Sequence, residues 1–248
     1  MNEVRISESG KTNSKLPEFS ASDLMKFEIL LRQKNISGDT IKQYINCIKK
    51  KKTNSNNCIK AWRNFYKLVL NQEPPDFLKT KKTKPDLKVP TLDEIVRTLA
   101  AAKQYPIIYN VYRLLLESGA REIEVLGALN NYDPANDKKE GDFYIYVLNW
   151  QRGQKKIFYL FHISPIQKLN LSKSQIDKAV KKLKLVPPKY IRKFVATRMA
   201  ELGIPSEIID FIQGRTPSSI LSKHYLNLFA LSKENYKKYA EWLKNVLQ

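Results

Sequence analysis

Histidine and cysteine are almost missing from this chain, at two residues each. Cys47 and Cys58 stand among helix-like apolar positions, where each reads as a small buried hydrophobe in a reducing compartment. No Cys/His spacing of the zinc-site kind occurs, so no metal is expected. No run of apolar residues approaches the length of a membrane span. The opening, MNEVRISESGKTNSKLP, lacks an apolar leader core and reads as a flexible polar tail. These absences point to an intracellular protein, expected to be cytoplasmic and nucleoid-associated, with no membrane partner. Acidic residues are short as well: 24 stand against 44 lysines and arginines, for a formal charge of +20. Such an excess calls for a polyanion, because each phosphate met by a cation releases condensed counterions. Charge alone does not separate an enzyme acting on nucleic acid from a ribosomal or generally adhesive basic protein.

The hydrophobic pattern is that of a folded chain, mainly helical with a small β-hairpin or sheet (α+β). After the tail, residues 1–19, three helices are expected in residues 20–72. The first, SASDLMKFEILLRQKN, places Leu24, Phe27, Leu30 and Leu31 on one face behind a Ser20/Asp23 cap. The second, SGDTIKQYINCIKKKK, ends in Lys49, Lys50, Lys51 and Lys52. Those lysines suit a helix C-terminus electrostatically, and they equally suit a track for phosphates. The third contains CIKAWRNFYKLVL. Residues 73–90 follow as a linker: residues 72 to 90 hold four prolines and five lysines and show no helical period. Lys81 and Lys82 in it could lie along a DNA backbone or only keep a tether solvated.

A second domain, residues 91–248, opens with a Thr91/Glu94 capping box. The helix IIYNVYRLLLESG ends at Gly119, and an acidic loop, NNYDPANDKKEGD, comes after the next helix. DFYIYVLNW and KKIFYLFHI flank QRGQ as a hairpin. The rest is helical, with stops at Gly203 and Gly214, a helix opened by Thr216-Pro217 that carries Tyr225, and a last helix from Ser232. Asp133, Asp137 and Asp142 are not expected to make a nuclease metal site, because they sit in an irregular loop with no histidine ligand. His162 on its strand reads as a packing residue. His224 points about 100° away from its neighbour Tyr225 on a helix.

Passing a phosphodiester to a protein hydroxyl requires a nucleophile, donors for the charge gathering on phosphorus, and an acid for the departing oxygen. Arginine suits the second task through its planar fork, and lysine the third through a pKa that neighbouring cations or burial can lower. The chain supplies such parts in order: Arg121 after the turn ESGA, Arg152 and Lys155 at the hairpin, Lys189 and Arg192 in the first turn of a helix, Arg215 after a glycine stop, then Tyr225.

In this ordered set the second domain resembles the catalytic domain of the tyrosine recombinases, the phage-type integrases. SGAREIE matches the family's first arginine turn with Arg121 and Glu124. KYIRKFVATRMAELG matches its histidine-x-x-arginine box, with Lys189 in the histidine place. QGR matches its later glycine-histidine turn, with Arg215 there, and SSILSKHYLNL matches its tyrosine helix. ISGDTIKQY in the first domain is similar to the family's core-binding module, so the resemblance spans about residues 20 to 248. Both histidine places hold other basic residues, the interval from Arg215 to Tyr225 is one residue longer than usual, and the first interval is short. In these respects the chain is similar to integrases of archaeal viruses and plasmids.

The resemblance implies a site-specific recombinase in which Tyr225 attacks the scissile phosphate and forms a 3′-phosphotyrosyl link. Arg121, Arg192 and Arg215 would hold the non-bridging oxygens, with Lys189 standing in for the histidine. Lys155, or Arg152 beside it, would protonate the leaving oxygen. The general base for Tyr225 stays open. The covalent link conserves the phosphodiester energy, so no cofactor is implied. The partner implied is a double-stranded DNA attachment site bound by a homo-tetramer, with the last helix either in its own core or docked as an arm on a neighbour; the arm is the expectation. A type IB topoisomerase-like relaxase and a non-catalytic DNA-binding protein are the alternatives.

Overall fold

A computed structural model describes residues 16–82, 84–152, 155–215 and 227–247, with the backbone alone for 149–152 and 155–156. The chain forms two compact units, Met1–Pro85 and Asp86–Gln248. In the first, α1 (Ala21–Gln33), α2 (Gly38–Lys49) and α3 (Asn56–Phe65) are each started by a serine. The side chains of Ser20, Ser37 and Ser55 accept from the third helical N–H, satisfying donors the helix leaves free. A π turn, Tyr66–Leu70, prolongs α3 and ends at Asn71 with φ 53°. The apolar stripes meet in a core of Phe27, Leu31, Ile48, Trp62 and Phe65, all at most 1% exposed. Burying each such side chain contributes about 1.5–3 kcal/mol. Trp62 Nε1 donates to the Lys52 carbonyl at 3.0 Å, so the buried indole keeps its hydrogen bond.

Three details differ from the sequence expectations. Leu16 and Phe19, assigned to the tail, pack on this core, and Phe19 lies 6.0 Å from the Phe65 ring. Within the run read as linker, a 3₁₀ turn at Asp76–Leu78 buries Leu78 completely. Two or three anchoring residues have no periodicity, so they leave no pattern to read. The third difference is a correction: Cys47 and Cys58 are not separate hydrophobes but a disulfide, with Cα atoms 5.1 Å apart and 11 residues of separation. Packing α2 against α3 brings together two positions that spacing alone does not pair. The cysteines therefore no longer speak for a reducing compartment. Closing a loop of this length is worth about 3 kcal/mol through the unfolded chain. Urea unfolding of the Cys47→Ser/Cys58→Ser protein should show a loss of that order; an unmoved midpoint would mean the bond contributes nothing.

The second unit begins with α4 (Leu92–Lys103), whose Thr91/Glu94 capping box forms as expected, with Thr91 N–H donating to Glu94 Oε2 at 2.8 Å. It continues with α5 (Pro106–Ser118) and α6 (Glu122–Asn130). A three-stranded antiparallel sheet follows in the order β1-β2-β3: β1 (Asp137–Glu140), β2 (Phe143–Arg152) and β3 (Lys155–His162). The β2–β3 pair is the expected hairpin, interrupted between Val147 and Trp150 by an irregular register. β1 lies within the acidic stretch read as a loop. Its four polar residues carry no hydrophobic alternation, and they pair because β2 offers an edge, Asp137 opposite Tyr146 and Glu140 opposite Phe143.

The remaining helices are α7 (Lys173–Lys182), α8 (Pro188–Glu201), α9 (Ser206–Ile212) and α10 (Leu228–Leu247). The helix expected to carry Tyr225 lies outside the described residues. α10 packs on its own unit, the first of the two placements considered for the last helix. Tyr236, Tyr239 and Leu243 are fully buried, and the two phenols donate to the Glu117 and Leu116 carbonyls at 2.8 and 2.7 Å. Among the described residues no helix is long and apolar enough to cross a membrane.

Candidate active site

The site is built where two helices stop. α5 ends at Gly119 (φ 60°) and α9 is followed by Gly214 (φ 64°), a left-handed conformation that glycine takes without strain. Neither position has room for a side chain. A Cβ on Gly119 would lie 2.6 Å from Gln213 Nε2, and one on Gly214 would lie 2.7 Å from Ile157 Cβ. The two turns are thereby pressed against α8 and β3, and each delivers an arginine one or two residues later.

Arg121 opens α6. Its N–H and its guanidinium both donate to Glu124, at 2.6 and 2.5 Å, and its Nη1 also reaches the Gly214 carbonyl at 3.0 Å. Arg192, in the second turn of α8, donates from Nη1 to the Gln213 carbonyl at 2.7 Å and the Gly119 carbonyl at 3.0 Å. Two arginines separated by 71 positions therefore grip adjacent carbonyls just ahead of Arg215. Arg215 is more open, 41% exposed, and pairs with Asp210 at 2.8 Å.

The balance of charge here is uneven. Glu124 is fully buried between Arg121 and Arg192, at 2.5 and 3.9 Å. Burial pushes the Arg192 guanidinium down to about 9, and the nearby Arg121 and Arg215 push the same way against Glu124 and Asp210. Arg192 Nη2 is buried and has no hydrogen-bond partner. A desolvated donor of this kind is costly unless an anion meets it.

Of the residues anticipated from the sequence, Arg121, Arg192 and Arg215 converge. Lys189 does not join them: its ammonium pairs with Asp86 at 3.0 Å and is 64% exposed. Arg152 and Lys155 face one another as a register pair at the ends of β2 and β3, and their side chains lie outside the described residues. Tyr225 lies outside them as well. In the first unit Lys49, Lys50, Lys51 and Lys52 are exposed around the end of α2, with Lys51 paired to Glu18. The Lys81 N–H donates to Asn56 Oδ1 and its carbonyl accepts from Asn56 Nδ2, and Lys82 is exposed.

Two further residues build the site: Gln213, which stands in the QGR turn without an expected role, and Glu117, which no motif announces. Gln213, fully buried, donates from Nε2 to the Arg192 carbonyl at 3.0 Å while its own carbonyl accepts from Arg192. Glu117, fully buried in α5, accepts from the Ile163 and Ser164 N–H groups and the Ser164 hydroxyl, tying the end of β3 to the helix before Arg121. The one available signal was a polar residue inside an otherwise apolar helix face. His162 is spoken for, its two ring nitrogens bonded to Asp137 and the Ser164 carbonyl at 2.9 Å.

The family model for archaeal phage integrase matches residues 87–242, well over half of the chain. The chain belongs to this family. Among solved structures, the integrase is similar to a lambda integrase dimer bound to a COC′ core site, at 15% identity and TM-score 0.51, covering 79% of this chain and 94% of that one. It also matches XerA recombinase at 18% identity and TM-score 0.41, covering 88% and 98% of the two chains. No curated protein sequence matches it. The fold is that of a tyrosine recombinase, with a helical module ahead of the catalytic domain.

Proposed function

We propose that this integrase performs site-specific DNA recombination through a 3′-phosphotyrosyl intermediate on Tyr225. The phenol oxygen attacks the scissile phosphorus as its proton passes to solvent, the bond from phosphorus to the 5′ oxygen breaks, and that oxygen takes a proton from Lys155, with Arg152 as the other cation at the same hairpin end. The free 5′ hydroxyl of a partner strand then attacks the phosphotyrosyl bond in reverse. Phosphodiester bonds are conserved throughout, so the exchange needs no outside energy source. Arg121, Arg192 and Arg215 neutralise the two non-bridging oxygens as charge builds on them. Lys189 supplies a further cation once released from Asp86.

The observation that carries this reading is the convergence of three arginines around a buried guanidinium nitrogen that lacks an acceptor. Such a site is suited to a phosphate and costly without one. Lys49, Lys50, Lys51, Lys52, Lys81 and Lys82 contact the DNA backbone, in an assembly of four copies on two duplexes. The last helix contributes to that assembly through the face it leaves exposed. In the cell the protein would accompany DNA in the cytoplasm. The test is a nicked suicide duplex carrying the attachment site: the wild-type chain becomes covalently joined to DNA, and Tyr225→Phe gives no adduct. An adduct formed by Tyr225→Phe at the wild-type rate would remove Tyr225 from the mechanism. DNA binding with no adduct from the wild-type chain would leave a non-catalytic binding protein.

A further inference from the structure

Beside the arginine site, the first two turns of α8 carry a second group of cations. Lys189 and Lys193 stand one turn apart, and Lys88 reaches the same place from the segment ahead of α4. All three ammonium groups lie over the Tyr190 ring, at 4.3, 5.3 and 5.5 Å from its centre. Among the described residues one carboxylate answers them: Asp86 meets Lys189 at 3.0 Å and Lys193 at 3.3 Å. Lys193 also donates to the backbone carbonyls of Asp86 and Lys88, so the segment is strapped along α8 through its main chain as well. Lys189 first, then the Lys88 N–H, Lys193 and Tyr190, hold the Asp86 carboxyl far below the usual carboxylate range against its partial desolvation.

Three lysines against one carboxylate leave an excess of two positive charges on one open face. An aromatic ring beneath the lysines gives their ammonium groups an attractive floor without neutralising them. The Asp86 carboxylate presents two oxygens to two lysines, which is what a phosphodiester presents with its non-bridging pair. We propose that Lys88, Lys189 and Lys193 form a binding site for a DNA backbone phosphate, and that Asp86 occupies it as a resident anion until DNA displaces it. The inference rests on the reading of this protein as a DNA recombinase and adds to it. Lys189 sits three residues from Arg192 on α8, so a phosphate that replaces Asp86 on Lys189 is held about one helical turn from the arginine site.

The test uses the full chain, a fluorescein-labelled duplex of arbitrary sequence, and anisotropy titrations across a range of salt. Asp86→Asn should bind about five-fold tighter than wild type, and its affinity should fall more steeply with salt by about one further phosphate contact. Asp142→Asn makes the same charge change at a position 91% exposed and 3.8 Å from Lys244, remote in sequence from the lysine group, and should leave binding within about two-fold. Adding Lys193→Gln to Asp86→Asn should abolish the gain, whereas Lys193→Gln alone should cost less. Asp86→Asn binding no tighter than Asp142→Asn, while the wild-type chain binds normally, would overturn the resident-anion proposal and leave the recombinase reading intact. A wild-type chain that fails to bind the duplex at all would remove both.

Discussion

Replacing Arg192 by alanine should lower the single-turnover rate of strand cleavage by about a hundred- to a thousandfold at saturating DNA, the usual consequence of losing one preorganised donor to developing charge. Nη1 of Arg192 is committed to the Gln213 and Gly119 carbonyls, which leaves Nη2 as the buried group without a partner and the one we propose meets phosphate when DNA binds. The shift of its pKa down to about 9 by burial and by Arg121 and Arg215 has the same origin. A bound anion relieves both conditions. Alanine also deletes the two carbonyl contacts, so Arg192→Lys separates the roles: it keeps a charge but cannot span two carbonyls and a phosphate oxygen with one planar fork. Both variants should bind DNA nearly as well as wild type while cleaving far more slowly. Cleavage by Arg192→Lys within tenfold of wild type would show that charge alone suffices and that the fork has no special part.

Glu117→Leu should destabilise the protein by about 3–5 kcal/mol, the range for removing one side of a buried ionic, hydrogen-bonded group. Leucine fits the volume of an interior helical position but leaves the Ile163 and Ser164 N–H groups and the Ser164 hydroxyl without their acceptor. Arg113, 3.8 Å from the carboxylate and only 14% exposed, loses its nearest counter-charge as well. The backbone carbonyl of Glu117, which accepts from Tyr236, survives the substitution, so the seat of α10 need not be lost. Chemical denaturation gives the magnitude. A change under about 1 kcal/mol would mean that water or a shifted backbone replaces the carboxylate.

What could be read in advance followed the range of the forces involved. Caps and helix stops act within a turn, and these stood as expected: Thr91 with Glu94, and the left-handed glycines at 119, 203 and 214. The amphipathic helices and the β2–β3 hairpin were likewise legible, because burial of one face imposes a period on the residues themselves. β1 was missed because its polar residues carry no such period and owe their strand conformation to a neighbouring edge. The disulfide was missed because its two partners come together only through the packing of α2 on α3.

The candidate site divides along the same line. The order of its cations and the glycine stops ahead of them are properties of the chain, and by themselves they point to phosphate chemistry. The partner of each cation is a property of the fold. Arg192 is buried against two carbonyls and Arg121 against Glu124, while Lys189, equally prominent in sequence, is held outside by Asp86 from 103 positions away. Local sterics and hydrophobic periodicity are written into neighbouring residues, so sequence determined the elements and the identity of the charges. Coulombic and hydrogen-bonding partners are chosen by proximity across the folded chain, so only tertiary structure decided which charges meet, which are neutralised and which one is left buried without a partner.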